Sequence, residues 1–392
     1  MTRVYLHALG IINALGNGAQ AVRTGLYAGS LAGIVTRDDL MPERSVQVAA
    51  VREELPVIPP VFAAYNSRNN RLLQAAVGQI RPQIDAAMDH FSSARIGIVL
   101  GTGTSGILEG EQALKQKWEQ GEFPREFDYR QQEISSPSEY LRLALGITGP
   151  AYTISTACTS SAKVFASARR LLRMNACDAV IVGGADSLCR LTLAGFSALE
   201  SVTKGVCNPM SRNRDGITLG EGGAVLLMSR EPGPICLLGV GESSDAYHIS
   251  GPDPEGRGAE IAMRAALADA GVAADDVGYL NLHGTGTIQN DLVESHAVAR
   301  VFGADLPCSS TKPLVGHMLG AAGVTELAFG WLILTDEAGR GYLPPHVWDG
   351  ERDPALASLS LCGQHESARD CRVMASNSFA FGGSNVTLII GS

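Results

Sequence analysis

The stretch Tyr152-Thr-Ile-Ser-Thr-Ala-Cys158-Thr-Ser-Ser161 decides how the fold of this chain is interpreted. Its first half is β-branched and predicts a strand, and its small, polar second half leads into a helix that begins near Ser160. A cysteine at such a junction lies at a helix N-terminus, where the macrodipole and free backbone N–H groups favour a thiolate and a developing oxyanion. Cys158 is therefore the best nucleophile candidate. The alternative is a small buried hydrophobe, which is what most free cysteines are.

The composition predicts a tightly turned α/β protein. Of 392 residues, 45% are hydrophobic and 18% are charged, and 45 are glycine. The 31 basic and 40 acidic residues give a net charge of -9, which disfavours nucleic acid as a partner. No apolar run approaches a membrane span, and the N-terminus makes a weak signal peptide. Eight scattered cysteines indicate reduced thiols, so we expect a cytoplasmic protein.

Short apolar runs that end in glycine or small polar residues recur along the chain and predict strands of a parallel or mixed sheet. They lie at 96–100, 179–182, 224–228, 277–282, 373–376 and 386–390, with helical patterns at 164–172 and 261–270. The segment Glu231-Pro-Gly-Pro234 breaks the chain before another strand. It predicts two halves, 1–233 and 234–392.

Two histidines lie in glycine-containing loops. His283 ends a predicted strand and precedes Gly-Thr-Gly-Thr287, and His317 follows Gly316 just before a helical run. Each histidine alone is more often structural, but with a helix-terminal cysteine they make a Cys-His-His site plausible. Lys312 and Glu326 flank the second histidine and could form a buried ion pair that orients it. The alternative is that both are surface charges.

Two further glycine-rich segments have competing interpretations. Phe379-Ala-Phe-Gly-Gly383 is either a turn that approaches a ligand closely or a hairpin corner with core aromatics. The segment 101–106 matches the pattern GxGxxG after a strand, as a dinucleotide site would. However, no later strand ends in an acidic residue at the spacing that a ribose contact requires. We therefore do not expect a nicotinamide cofactor.

Taken together, these segments resemble the β-ketoacyl-acyl carrier protein synthases, the condensing enzymes of the thiolase fold. The matching motifs occur in family order along nearly the whole chain. They are Thr156-Ala-Cys-Thr-Ser160, Asp215-Gly-Ile-Thr-Leu-Gly-Glu-Gly-Gly223, Ser244-Asp-Ala-Tyr-His248, His283-Gly-Thr-Gly-Thr287, Lys312-Pro-Leu-Val-Gly-His317 and Asn377-Ser-Phe-Ala-Phe-Gly-Gly-Ser-Asn385. The resemblance implies a duplicated five-layer α/β/α/β/α fold.

The resemblance also implies a role for each site residue. Cys158 takes the acyl chain from its carrier as a thioester, and His283 and His317 bind the malonyl thioester and stabilise the enolate that attacks the acyl-cysteine. The remaining roles are support of the second histidine by Lys312 and Glu326, an oxyanion hole from the amides of Cys158 and Phe381, a gate at Phe379, and pantetheine contacts at Thr285 and Thr287. No metal or other cofactor is implied, since the substrates are carried on the phosphopantetheine of acyl carrier protein.

Departures from housekeeping fatty-acid elongases suggest a specialised member. The loop from Lys204 to Arg214 looks shorter, and Thr104 stands where relatives often place a bulky residue in the acyl tunnel. Both would suit an unusual acyl chain and favour a type II polyketide or aryl-polyene ketosynthase over a housekeeping synthase. Two rivals remain: a Cys-His acyl hydrolase, and a non-catalytic length-setting subunit, against which the retained cysteine and histidines count.

The resemblance implies a dimer and an acidic partner. The dimer is either a homodimer or a heterodimer with an inactive paralogue similar to a chain-length factor. Acyl carrier proteins are acidic, so an acidic synthase needs local positive charge to dock one. Arg68, Arg71 and Arg212 fall where relatives carry basic docking residues, and the alternative for each is an ordinary solvated arginine.

Overall fold

A computed structural model describes residues 3–42, 44–336, 341–368 and 371–392. The strands are β1 Tyr5–Asn13, β2 Gly16–Asn17, β3 Ile34–Arg37, β4 Val46–Ala49, β5 Ile96–Gly101, β6 Ala151–Ile154, β7 Ala179–Asp186, β8 Leu219–Gly220, β9 Gly222–Ser229, β10 Ile235–Ser244, β11 Tyr279–Asn281, β12 Pro307–Ser309, β13 Ser360–Leu361, β14 Val373–Phe379 and β15 Ser384–Gly391. The helices are α1 Ala19–Tyr27, α2 Arg68–Gln79, α3 Arg81–His90, α4 Ile107–Gln120, α5 Ser136–Leu145, α6 Ser160–Arg173, α7 Arg190–Ala198, α8 Arg257–Ala270, α9 Ile288–Phe302, α10 Lys312–Val315 and α11 Ala322–Leu334.

Each strand expected from the sequence is present. The runs β5, β7 and β9 are buried along their whole length, because helices cover both faces of the sheet. Their continuous apolar sequences are therefore strand signals without the alternation of a half-exposed strand. The expected helix near Ser160 begins at that residue.

The sheet contains the same topology twice. In the first half the order is β1-β9-β7-β5-β6, and in the second it is β10-β15-β14-β11-β12. Both halves begin with two antiparallel pairings and end with two parallel ones. The first half ends at Ser229 and the second begins at Ile235, and β1 pairs with β10 to join them. The duplication that the sequence suggested is thus visible in the strand order.

The helices form three layers around the two half-sheets. Helices α6 and α11 are equivalent elements of the two halves and pack on each other in the middle, where each touches strands of both halves. Helices α2 and α5 cover the outer face of the first half-sheet, and α8 covers that of the second. These layers give the five-layer α/β/α/β/α architecture that the family resemblance implies.

The two central helices approach closely at their N-termini. A side chain on Gly323 of α11 would lie 2.8 Å from the Cβ of Ala162 on α6, so glycine is needed at this crossing. The amide of Val324 donates to Ser161 Oγ at 2.9 Å across the same contact. Because Cys158 precedes α6 and His317 precedes α11, this contact brings the two residues together.

No helix among the described residues combines the length and apolar character needed to cross a membrane.

Candidate active site

A sharp turn presents Cys158 at the start of α6. Ala157 has a left-handed backbone conformation with φ of 52°, which is uncommon outside glycine. The hydroxyl of Ser160 holds this turn: it accepts from the amide of Thr156 at 2.9 Å and donates to the carbonyl of Ala157 at 2.6 Å. The turn places the cysteine before the first residue of the helix, and its side chain lines a cavity.

The structure brings both predicted histidines to the cysteine. His283 follows β11, and His317 lies in the turn between α10 and α11. The Nε2 atom of His317 is 3.0 Å from Sγ of Cys158, and the two imidazole rings are 5.4 Å apart and nearly perpendicular. All three side chains are buried, and each also lines the cavity.

The predicted ion pair of Lys312 and Glu326 is present and buried, but it supports the first histidine. The Lys312 Nζ atom lies 2.5 Å from Glu326 Oε1 and also donates to the carbonyl oxygen of His283. It lies 3.4 Å from Nδ1 of the same histidine. A protonated lysine can only donate, so Nδ1 of His283 acts as an acceptor and its proton is on Nε2. The expectation that this pair orients His317 is thus corrected by the contacts.

Burial determines the protonation of the triad. It raises the pKa of Cys158 to about 12, although the nearby Lys312 opposes the shift, and it lowers the pKa of both histidines well below 6.5. The expected resting thiolate is therefore corrected to a neutral thiol, because desolvation outweighs the charges that favour ionisation. A neutral imidazole at 3.0 Å is the base that this thiol needs.

The sequence analysis missed Glu294, which fixes the loop that carries His283. Its carboxylate accepts from the amides of His283 and Gly284, both at 2.7 Å, and from Asn377 Nδ2 at 3.3 Å. Burial raises its pKa to about 7. The signal was available as an acidic residue in the first turns of a helix that follows a histidine loop.

The cavity above the triad has a volume of about 320 Å³. Thr285 and Thr287 lie on its wall with their hydroxyl oxygens 2.9 Å apart, and Phe379 and Phe381 also line it. The ring of Phe379 is 6.0 Å from that of His283. Phe196 of α7, which the sequence analysis did not single out, faces Phe381 at 5.7 Å. An aromatic ring of α7 and one from the turn between β14 and β15 thus meet in the lining of the cavity.

Cys158, His283 and His317 also form a group of possible metal ligands, with donor atoms within 4.8 Å of one another. Two ligands of one tetrahedral zinc ion lie about 3.5 Å apart, given Zn–S and Zn–N bonds of about 2.3 and 2.0 Å. The 3.0 Å contact between Sγ and Nε2 fits a thiol–imidazole hydrogen bond better.

The remaining predicted residues lie away from the triad. Thr104 is fully buried outside the cavity, and its hydroxyl donates to Asp186 at 2.8 Å. In the GxGxxG segment, the amides of Gly103 and Thr104 also donate to Asp186, so they are not available to a pyrophosphate. A side chain on Gly101 would lie 2.5 Å from the amide of Ser161. These glycines therefore serve packing.

The three predicted docking arginines differ in their surroundings. The guanidinium of Arg68 is turned inward, where it makes two hydrogen bonds to the buried Glu221, at 2.8 and 2.6 Å. Arg71 donates to Asn66 at 3.1 Å. Arg212 is exposed and pairs with Glu351 at 2.6 Å. Of the three, Arg212 has the most accessible charge.

Comparison with protein families gives matches over most of the chain. Residues 44–232 match the N-terminal domain of β-ketoacyl synthases, and residues 235–347 match the C-terminal domain. The chain is 31% identical to a 3-oxoacyl-[acyl-carrier-protein] synthase 2 of Staphylococcus aureus strain COL, over 99% of this chain and 97% of the relative.

Solved structures agree with these matches. A chain in the complex of the ketosynthase ApeO with its chain length factor ApeC, from Xenorhabdus doucetiae, is 44% identical. It superposes with a TM-score of 0.96 and covers 100% of this chain and 98% of that one. A chain of the ishigamide ketosynthase/chain length factor is 28% identical, with a TM-score of 0.87 and coverage of 100% and 99%.

These matches confirm the resemblance seen in the motifs, together with the thiolase fold and an acyl-transferring condensing enzyme. The chain belongs to the β-ketoacyl synthase family.

Proposed function

We propose that this protein condenses an acyl group held on Cys158 with a malonyl group held on acyl carrier protein, with loss of carbon dioxide, to give a 3-oxoacyl carrier protein. The observation that carries this proposal is the buried thiol with two imidazoles beside it, all three lining one cavity. One imidazole is in hydrogen-bond contact with the thiol, and the other is held with Nε2–H as its donor.

In the first half-reaction, Sγ of Cys158 attacks the carbonyl carbon of the acyl thioester. Its proton passes to Nε2 of His317, which is 3.0 Å away. The tetrahedral intermediate collapses by breaking the bond to the carrier sulfur, and this sulfur takes the proton from His317. The products are the acyl-cysteine and the free carrier thiol. We assign the amides of Cys158 and Phe381 to the oxyanion, as the family resemblance implies.

In the second half-reaction, the malonyl thioester loses carbon dioxide and becomes an enolate. Nε2–H of His283 donates to the enolate oxygen, because Lys312 occupies Nδ1 of the same ring. The enolate carbon attacks the acyl-cysteine carbonyl, and the carbon–sulfur bond to Cys158 breaks. The released thiolate takes one proton from solvent. Once Cys158 is acylated, its Sγ atom carries no hydrogen for Nε2 of His317 to accept. His317 can then adopt the tautomer with its proton on Nε2 and act as a second donor to the enolate oxygen.

The cavity walls support delivery of both substrates on a phosphopantetheine arm. Thr285 and Thr287 present hydroxyl groups on the wall that leads to the triad, and an amide-rich arm can bond to them. Phe379 and Phe381 line the same cavity, and we assign the gate to Phe379. The hydroxyl of Thr159 donates to Ser384, which ties the gate segment to the cysteine turn.

We propose that a second, related chain completes the assembly. In the part of the chain that the structure describes, β6 pairs with β5 alone, whereas the equivalent strand β12 is covered by β13. An uncovered edge strand is a surface for pairing. Helix α7 and the residue that follows it also expose two apolar side chains, Leu191 at 59% and Leu199 at 51%. The two structures described above each contain a chain length factor, which favours a heterodimer.

The same two neighbours favour a specialised acyl chain over housekeeping elongation. We place the protein among ketosynthases of the type II polyketide or aryl-polyene kind, acting in the cytoplasm, where its eight free cysteines stay reduced. For carrier docking, Arg212 has the exposed charge, and Arg68 and Arg71 lie on α2 with internal partners.

Product analysis tests the proposal. The protein, with its partner chain if one is needed, is incubated with an acyl carrier protein and malonyl carrier protein, and the carrier-bound products are analysed by mass spectrometry. We expect a 3-oxoacyl chain two carbons longer than the acyl donor. Release of free acid without malonyl consumption would support the Cys-His hydrolase instead. If the protein elongates only saturated acyl chains across a panel of donors, this result would contradict the specialised assignment.

A further inference from the structure

The carboxylate of Asp186 is buried at the C-terminal end of β7 and has no part in the mechanism above. Five donors converge on it. They are the hydroxyls of Thr102 at 2.7 Å and Thr104 at 2.8 Å, and the amides of Gly103 at 2.8 Å, Thr104 at 2.7 Å and Ala321 at 2.9 Å. Four donors come from the loop after β5, and the fifth comes from the turn before α11.

The carboxylate thus joins two segments that are distant in sequence. They are the loop 102–104 and the turn 318–321, which touch through their backbones. A side chain on Gly320 would lie 2.4 Å from the amide nitrogen of Gly103 and 2.9 Å from Asp186 Oδ2. Leu319 in this turn has a left-handed φ of 46°. A non-glycine residue is held in that conformation only where its surroundings fix it.

His317 directly precedes the turn held by Asp186. On its other side, the amide of His317 donates to the carbonyl of Thr218 at 2.7 Å. The segment from His317 to Ala321 is therefore fixed at one end by Thr218, which precedes β8, and at the other end by Asp186. The end of β5, from which this loop continues, lies against the cysteine helix, because Gly101 abuts the amide of Ser161.

We propose that Asp186 is a positioning residue, which sets the distance between His317 and Cys158 by binding the histidine turn to the loop after β5. This inference deepens the proposed function and rests on it for the role of the thiol–imidazole pair. Asparagine at 186 has almost the same shape, but its amide would offer one acceptor oxygen and would direct N–H groups at donors. The turn should then move away from the loop and draw Nε2 of His317 from the thiol.

The test is the pH dependence of Cys158 alkylation by iodoacetamide, followed by intact-protein mass, with Cys158→Ala giving the background from the other cysteines. Because the imidazole accepts the thiol proton, we expect Asp186→Asn to react at least about tenfold more slowly near neutral pH, which corresponds to one unit in an apparent pKa. Its pH profile should approach that of His317→Ala. A substitution with only a structural effect lowers the melting temperature but leaves this profile unchanged.

Asp269→Asn is the control, since Asp269 is another carboxylate that accepts from a backbone amide, here together with an arginine, and it lies away from the triad. It should keep the wild-type profile. If Asp186→Asn does not fold, Gly320→Ala separates the same two segments by a steric clash and keeps the carboxylate at 186, and it should shift the profile in the same direction.

A folded Asp186→Asn or Gly320→Ala variant with the wild-type profile would overturn the proposal. Alkylation needs no malonyl donor, so this result is independent of whether the wild-type protein condenses. Absence of a condensation product with a shifted Asp186→Asn profile would contradict the proposed function and leave the positioning role supported.

Discussion

The triad combines a neutral thiol with two neutral imidazoles, and burial is the cause of all three states. Neutral groups suit this chemistry, because a resting thiolate or imidazolium in a buried site would carry a large desolvation cost. The charge needed for catalysis arises only when the thioester arrives and the thiol proton moves. The residues around the triad therefore act mainly by fixing the positions and tautomers of the two histidines, and less by placing charge beside the reacting atoms.

The ion pair beneath His283 tests this interpretation. Lys312 and Glu326 are 1% and 2% exposed. Lys312→Met leaves a carboxylate buried without its partner, so we expect a loss of about 3–5 kcal/mol in unfolding free energy, measured by denaturant titration. The double variant Lys312→Met, Glu326→Leu should recover much of that loss. Lys115→Met, in an exposed pair, should change stability by less than about 1 kcal/mol. Equal effects of the buried and exposed single variants would contradict the account.

Stability should fall in mild acid because of buried histidine. Burial lowers the pKa of His346 to about 4, so the unfolded chain binds a proton below about 6.5 that the folded chain does not accept until near 4. The stabilisation is complete above the unfolded value and is lost as pH falls towards the folded value. His346 alone should contribute a decline of about 2 kcal/mol between about pH 7 and pH 5.

Denaturant titrations at several pH values check this decline. His346→Gln should flatten the slope, while the exposed His365→Asn should keep it. A wild-type protein whose unfolding free energy does not change over this range would contradict the buried, neutral state of the His346 ring.

At the scale of elements, the N-termini of α6 and α11 and the end of β5 pack so closely that only small residues fit. The sequence showed the strands, the helix start near Ser160 and both histidine loops, because each is a local pattern. It did not show that Asp186 binds two distant segments or that Glu294 holds the histidine loop. It also assigned the ion pair to the wrong histidine. Those contacts depend on which elements become neighbours in the folded chain.

Gly101→Ala tests the close contact of β5 with α6. The new methyl group would lie 2.5 Å from the amide of Ser161, so the helix must shift. We expect a loss of about 1–3 kcal/mol in stability and slower acylation of Cys158. Gly78→Ala is the control, because Gly78 is exposed on α2 with open space around it, and it should stabilise the protein by up to about 1 kcal/mol. Wild-type stability and acylation in Gly101→Ala would show that this contact is not tight.

At the scale of the whole molecule, the candidate active site lies where two copies of one topology meet. The cysteine precedes the central helix of the first half, and His317 precedes the central helix of the second. Neither half alone holds the thiol–imidazole pair, which explains why the reactive residues are spread over the whole sequence. Among the described residues no strand pairs with the outer edge of β6, and this edge predicts a larger assembly than one chain.

Leu191→Glu tests that assembly. The charge falls on the exposed apolar face of α7, so we expect a lower assembled fraction by light scattering, with an unchanged melting temperature of the single chain. Ile261→Glu is the control, because Ile261 is 56% exposed on α8, in the other half of the molecule. Equal assembly of wild type and Leu191→Glu, or equal loss in both variants, would contradict an interface on α7.

The most direct test of the central claim is the intact mass of the protein after incubation with a panel of acyl carrier proteins, alone and with its partner chain. The account predicts an acyl adduct on the wild type and none on Cys158→Ala, and discharge of that adduct when malonyl carrier protein is added. An adduct that survives in Cys158→Ala, or a wild type that no donor acylates even with its partner present, would show that Cys158 is not the acyl-accepting nucleophile.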